Sequence, residues 1–375
     1  GGTGTHALFH ALAYLGLPAA HFHEAAAELP LRAPPRSTEA DLALAPLLEE
    51  LELVHTCGRS LGAFRGMGPI PLLTLYQSCP RLTKLDLTMC TSETLTTSGS
   101  TRITTNITVV ALAALLTGCS LLRKLQLDRL SCVTDTLLEA IPTMLPKLEY
   151  LSIWYTPIRR LKGTWGELLE LHVSGKDGLA ASQFFESVQL PKLRYLHMGC
   201  GEHGFDALTT ACPSLLYLEL AHGENDNFSL ADLRHPLLAG LDLRYTQWPP
   251  SAYEGLTNAN LPSLEALDLT IDTPLHRSAN QHPESGELKS EYIQQIAAAM
   301  PLLTDLRIGD NFNVDDAAVE AVARHCSGLV GLDVSVTKIT DVGLRALTAL
   351  KELQYLNVMC DDEITDDGLW AVAAG

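Results

Sequence analysis

One phrase, L-x-x-L-x-L, recurs along nearly the whole chain and leaves few folds open to it. It occurs as Leu48, Leu51, Leu53; as Leu82, Leu85, Leu87; as Leu122, Leu125, Leu127; and as Leu148, Leu151, Ile153. It continues as Leu168, Leu171, Val173; Leu193, Leu196, Met198; Leu215, Leu218, Leu220; and Leu238, Leu241, Leu243. Leu264, Leu267, Leu269; Leu303, Leu306, Ile308; Leu329, Leu332, Val334; and Leu353, Leu356, Val358 complete about twelve copies, mostly 20–26 residues apart. L-x-L alternation puts two apolar side chains on one face of a short strand. A lone strand cannot bury that face. Parallel stacking of successive strands can, with the intervening segments closing each coil. The pattern therefore predicts an α/β solenoid over residues 45–375, with a parallel β-sheet on its concave side.

The segments between strands fit that plan. Asp341–Leu347 and Asp366–Val372 carry apolar residues at helical spacing, each behind an Asp or Thr suited to cap a helix. Pro80, Pro146, Pro191, Pro213, Pro262 and Pro301 fall two residues before the first repeat leucine, where proline ends a helix and opens a turn. The repeats near 155–250 are shorter, which predicts extended or 3₁₀ returns rather than full helices. Two insertions, 91–105 and 272–287, are rich in Ser, Thr, Asn and His and read as loops outside the coil. Residues 1–44 precede the array. Thr5–Leu15 predicts a helix ending at Gly16, and 30–37 an irregular linker. Together they form a helical N-terminal cap over the first repeat.

Several phrases are more specific. Cys79-Pro80-Arg81-Leu82 leads through Leu87-Thr88-Met89-Cys90, and Cys212-Pro213-Ser214-Leu215 repeats its first half. Ile339-Thr340-Asp341-Val342-Gly343-Leu344 and Ile364-Thr365-Asp366-Asp367-Gly368-Leu369 share a second phrase. On these residues the chain resembles the cysteine-containing subclass of leucine-rich repeats, common in F-box proteins. The resemblance implies a horseshoe solenoid that binds proteins. It also implies one specific role, the substrate-recognition subunit of a cullin-RING (SCF-type) ubiquitin ligase. The L-P-x-E-L opening and later Trp of an F-box are missing from residues 1–44. A structural or adaptor subunit of an intracellular assembly, of the ciliary or organellar-ribosome kind, is therefore placed ahead of it.

Charge narrows the partners. The formal net charge is -18 and the pI about 5.1, which disfavours nucleic acid and favours a basic protein surface. The nine cysteines are scattered, without a C-x-x-C pair, which argues against structural zinc and for reduced thiols in a reducing, intracellular compartment. The longest apolar run, Val109–Leu116, is far short of the roughly 18–20 residues that span a bilayer. The opening residues lack a signal-peptide pattern, and a Gly-Gly start without Met fits a processed or partial chain.

Chemistry is sparse in the sequence. Gly1-Gly2-Thr3-Gly4-Thr5-His6 before a helix resembles a phosphate-binding loop, closest to the T-G-T loop of sulfotransferases, but no strand precedes it and it holds no Lys or Arg. A degenerate phosphate or nucleotide site is the weakest alternative. His6 and His10 share a helical face without acidic or thiol neighbours, so no metal site is assigned. No catalytic residue, cofactor or small-molecule substrate is expected. The positions flanking the strand leucines point away from the core. In the middle repeats they include Ser152 and Glu170, and the partner-binding residues Tyr150, Trp154, His172, Tyr195, His197, Tyr217 and Glu219. Aromatics among polar groups are what a protein-binding hot spot needs, although tyrosines that merely pack on one another would look the same. Glu52, Asp86, Glu219, Asp242, Asp268 and Asp333 form a column of acids between strand leucines, expected to repel itself and favour a cationic ligand or, more simply, to be a fixture of the repeat.

Overall fold

A computed structural model describes residues 19–20, 49–52, 80–88, 109–202, 204–222, 229–244, 248–271, 288–361 and 363–374. The chain divides into two compact units: residues 1–176 with 187–192, and residues 177–186 with 193–375.

The first unit contains β1 (Ala19–Ala20), β2 (Glu50–Glu52), β3 (Lys84–Asp86), α1 (Val109–Gly118), β4 (Lys124–Gln126) and α2 (Asp135–Met144). It continues with β5 (Tyr150–Thr156), β6 (Lys162–Thr164), the start of β7 (Glu170–Ala180) and β8 (Ser187–Gln189). Strands β1 to β5 and then β7 pair in parallel, and the register sets Leu51, Leu85, Leu125, Leu151 and Leu171 side by side. Leu85, Leu125, Leu151 and Leu171 are completely buried. Helix α2 closes its coil by burying Leu137, Leu138 and Ile141, and the Thr134 side chain caps its N-terminus by accepting from the Leu137 N–H. Of residues 1–44 the structure describes Ala19–Ala20, a strand beside β2. The helix expected over Thr5–Leu15, the glycine-rich loop and the insertions at 91–105 and 272–287 lie outside the described residues.

The second unit contains α3 (Ala181–Phe185), β9 (Tyr195–Glu202), a 3₁₀ turn (Phe205–Ala207), α4 (Leu208–Ala211), β10 (Tyr217–His222), β11 (Gly240–Asp242) and α5 (Pro250–Asn258). It ends with β12 (Ala266–Asp268), α6 (Ser290–Ala299), β13 (Asp305–Arg307), α7 (Asp316–His325), β14 (Gly331–Asp333), α8 (Asp341–Leu347), β15 (Tyr355–Asn357) and α9 (Asp366–Ala374). Its strands β9 to β15 are also parallel, with Leu196, Leu218, Leu241, Leu267, Leu306, Leu332 and Leu356 aligned. Each unit is thus a stack of leucine-rich parallel strands backed by return segments, the α/β repeat architecture that the L-x-L alternation implies.

Return segments track repeat length. Where strand leucines are closest, from Leu151 to Leu171, the return is the extended β6, which pairs in parallel with β8 of the following repeat, Gly163 opposite Val188. Extended chain covers about 3.3 Å per residue against 1.5 Å for a helix, so a short repeat can cross the same span without one. The 3₁₀ turn at Phe205–Ala207 and the four-residue α4 belong to the same short stretch.

The T-D-x-G-L phrase has a structural cause. Thr340 caps α8 by accepting from the Val342 N–H, while its own N–H and hydroxyl donate to the Asp316 carboxylate of the preceding helix (2.7 and 2.8 Å). The Gly343 N–H donates to the same carboxylate (2.9 Å). One helix on, the Thr365 N–H and hydroxyl donate to Asp341 (2.9 and 2.6 Å), which holds that carboxyl below the usual carboxylate range. In the first unit the Arg159 N–H donates to Asp135 in the same way (2.9 Å). The spacing is 24 residues in all three. The glycine follows from this staple: a Cβ on Gly343 would stand 2.5 Å from Asp316 Oδ1, and one on Gly368 would collide with Asp341.

The cysteines of the repeat occupy the turn from return segment to strand. The carbonyls of Cys119, Cys212 and Cys326 accept from the N–H of Leu122, Leu215 and Leu329, and Leu145 and Met300 do the same for Leu148 and Leu303. Cysteine acts here as a small buried hydrophobe, and burial pushes the thiols of Cys119 and Cys326 up to about 11. His235 stands equally far ahead of Leu238 and is 1% exposed. Its Nδ1 accepts from the Leu237 N–H (3.3 Å), so its Nε2–H donates to the Cys212 carbonyl (3.0 Å). That pairing requires a neutral ring, and burial lowers its pKa.

Two measurements follow. Gly343→Ala ought to gain about 1 kcal/mol from helix propensity alone. Against the Asp316 carboxylate it should instead cost about 1–3 kcal/mol in urea unfolding. Gly328→Ala, with nothing within 4 Å of its Cβ, should stay within about 0.5 kcal/mol of the parent. For His235, the unfolded ring takes a proton near pH 6.5, while the folded ring resists it. Stability is therefore complete above about pH 6.5 and lost as pH falls from there toward the lower folded value. His235→Leu should flatten that acid limb in thermal melts from pH 7.5 to 5.5; an unchanged limb would show that His235 is not its source.

Candidate protein-interaction face

The face of each sheet turned away from the core carries the residues that alternation assigns to it. In the first unit Tyr150, at the head of β5, lies with its ring centroid 5.2 Å from that of His172 on the adjacent β7, and the His172 Nε2 hydrogen-bonds the Glu170 Oε1 (2.7 Å). Burial, with the nearby Glu170 and Asp128 carboxylates, pushes the Tyr150 phenol up to about 12. Trp154 is half-buried. Its backbone N–H donates to Asp128 Oδ1 (2.7 Å), which also accepts from the Ser152 hydroxyl (2.6 Å).

Alternation misses the next residue. Tyr155 should point inward, yet it is 49% exposed, because its φ of 53° and a register shift between Ile153 and Thr156 turn it outward. Its ring meets Trp154 edge-on at 5.8 Å, and the Arg129 guanidinium lies 5.0 Å from its centroid. The same left-handed backbone recurs two residues beyond the last strand apolar residue at Arg129, Asp310, Val336 and Cys360, a feature of the repeat that period-two alternation does not register.

In the second unit Tyr195, His197, Tyr217 and Glu219 come together on β9 and β10. Tyr195 pairs with Tyr217 and His197 with Glu219 across the two strands. The tyrosine rings stack 5.2 Å apart and 5° from parallel. The Tyr195 hydroxyl donates to Glu219, whose other oxygen is 3.6 Å from the His197 Nε2, and the Tyr217 hydroxyl donates to Asp242 (3.1 Å). Burial foremost, then these carboxylates, push both phenols up. Opposite Tyr217 on β11 is Gly240, where a Cβ would collide with the Tyr217 ring. Glycine there lets the ring lie flat over the backbone.

The acids between strand leucines turn out to be fastenings. Asp86, Asp242, Asp268 and Asp333 each accept the backbone N–H two residues on, from Thr88, Arg244, Thr270 and Ser335, at 2.8–3.0 Å. Such a bond ends the strand in an Asx-type turn. Nor do the acids of the second unit simply repel one another. Arg244 bridges Asp242 (2.6 Å) and Asp268 (3.4 Å), and Arg307 lies between Asp268 (4.0 Å) and Asp305 (3.2 Å). Burial still raises the Asp268 carboxyl. Among the described residues no group of three or more His, Cys, Asp or Glu could hold a metal ion, and no helix is long and apolar enough to cross a membrane.

The stack is open to test: Gly240→Ala should tilt Tyr217 off Tyr195 and cost about 1 kcal/mol, the scale of an aromatic pair beyond its burial. Near-UV circular dichroism would report the loss of ring coupling. An unaltered spectrum would mean the stack does not depend on Gly240.

No protein-family model matches the chain, and no curated protein matches it. Among solved structures the chain is similar to an internalin from Listeria monocytogenes, at 14% sequence identity and a TM-score of 0.41, the match covering 88% of this chain and 86% of that one.

Proposed function

We propose that this protein is a non-enzymatic interaction scaffold, a structural or adaptor subunit of an intracellular assembly, and that it grips its protein partners with the outer faces of its leucine-rich sheets. One observation supports this most directly: the stacked Tyr195–Tyr217 pair, fastened by Glu219 and Asp242. Aromatic rings already fixed in place lose little entropy when a partner covers them, and their bulk supplies most of the contact energy of a typical hot spot. Tyr150 with His172, and Trp154 with Tyr155, are aromatic groupings of the same kind in the first unit.

The test is a variant with Tyr150→Ala, Trp154→Ala, Tyr195→Ala and Tyr217→Ala together. It should still unfold in one cooperative transition, lowered by loss of the Tyr195–Tyr217 stack, and lose at least about tenfold in affinity for the native partner, the effect of one modest hot spot. Unchanged binding by the folded variant removes the outer faces as the site. The partner itself comes from affinity purification of the full-length protein in its native cell. A fixed stoichiometric set of structural proteins supports the scaffold reading. Recovery of a cullin-ligase adaptor would replace it with the substrate-receptor role that the cysteine-containing repeats suggest.

A further inference from the structure

Strands β13, β14 and β15 set Asp305, Gly331 and Tyr355 in one row across the outer face of the second unit. Gly331 supplies no side chain, and a shallow depression of about 470 Å³ opens over it, lined also by Thr304, Arg307 and Val330. On one side stands the Asp305 carboxylate, whose Oδ2 lies 3.2 Å from where a Gly331 Cβ would be. On the other is Tyr355, which is 55% exposed, unlike the half-buried Tyr195 and Tyr217. Two strand spacings, about 10 Å, separate the flanking backbones, and the Asp305 carboxylate leans over Gly331 into part of that gap. One planar group needs about 6–7 Å of it, stacked on the ring at about 3.5–4 Å and hydrogen-bonded to the carboxylate at about 2.8 Å.

Charge selects the sign of the occupant. Glu219, Asp242, Asp268, Asp305 and Asp333 face Arg244 and Arg307, an excess of acid in a chain of net charge -18. Arg307, which also lines the depression, already pairs with one oxygen of this carboxylate, with Nε on Asp305 Oδ1 (3.2 Å) and Nη1 toward Asp268 (4.0 Å). Oδ2 of Asp305 is the oxygen nearest Gly331.

We propose that this notch receives an arginine side chain from a basic protein partner, its guanidinium stacked on Tyr355 and hydrogen-bonded to Asp305. The inference rests on the reading of the outer sheet face as a protein-binding surface. Arginine is specified over lysine because a planar, weakly hydrated guanidinium can stack and hydrogen-bond at once, whereas an ammonium is a compact, strongly hydrated point charge.

The experiment is a fluorescence-anisotropy titration of the chain with a labelled nonapeptide of alternating Gly and Arg, and with its Lys-for-Arg twin, at about 0.15 M salt to suppress diffuse attraction. The arginine peptide should bind at least about fivefold more tightly than the lysine peptide, within the range of a cation–π contact. Asp305→Asn and Tyr355→Ala, both surface changes, should each abolish that preference while leaving the melting transition in place. Equal binding of the two peptides, or a preference that survives both variants, overturns the proposal. The fourfold aromatic variant, titrated with the same peptides, should retain the arginine preference, and losing it there would overturn the assignment to this notch. Failure of the interaction-face reading shows separately, as undiminished binding of the native partner by that aromatic variant.

Discussion

Everything in this molecule depends on one requirement: the central leucine of each strand can leave water only when the same leucine of the next strand lies beside it. Burying a leucine side chain is worth roughly 1.5–3 kcal/mol, and a three-residue strand offers no other way to gain it. Slipping the register by one residue would turn every leucine to the outer face. The alignment from Leu51 to Leu171 in one unit and from Leu196 to Leu356 in the other therefore decides which side chains remain outside to meet a partner.

The outer face shows how little of its charge is idle. A carboxylate that ends a strand by holding the N–H two residues on has one oxygen committed to the backbone, and arginines or tyrosine hydroxyls take much of the rest. The same groups both shape the strand ends and set the polarity of the surface. An acid-to-amide change in this column would therefore act on folding and on binding together, and a loss of partner affinity there would need a stability measurement beside it.

Strand positions are legible in the sequence because period-two alternation is a property of single residues and their neighbours. Tyr195, Tyr217, His197 and Glu219 are reachable by that rule, and Tyr355, which heads its strand as the two tyrosines do, is reachable by it too. The helices α8 and α9 were legible through their capping residues. Other features depend on partners far along the chain. The glycine of T-D-x-G-L makes sense only beside an aspartate 27 residues earlier, and Arg307, which comes after the insertion at 272–287 in sequence, reaches to 4.0 Å from Asp268. Tyr155 escaped because a left-handed backbone breaks the alternation locally. The β6–β8 ladder escaped because K-G-T and S-V-Q carry no apolar alternation to read.

The aspartate staple also bears on how such a chain can change over time. In the second unit its acceptor sits at the front of one helix and its threonine donor at the front of the next, 24 residues on. A segment of that length carries one half of the joint at each end, like a tile with a tongue and a groove. Duplicating or deleting it in frame reproduces an intact joint on both sides, so the array can lengthen or shorten by whole tiles while each seam keeps its hydrogen bonds. A cut of any other length leaves a carboxylate facing the wrong residue.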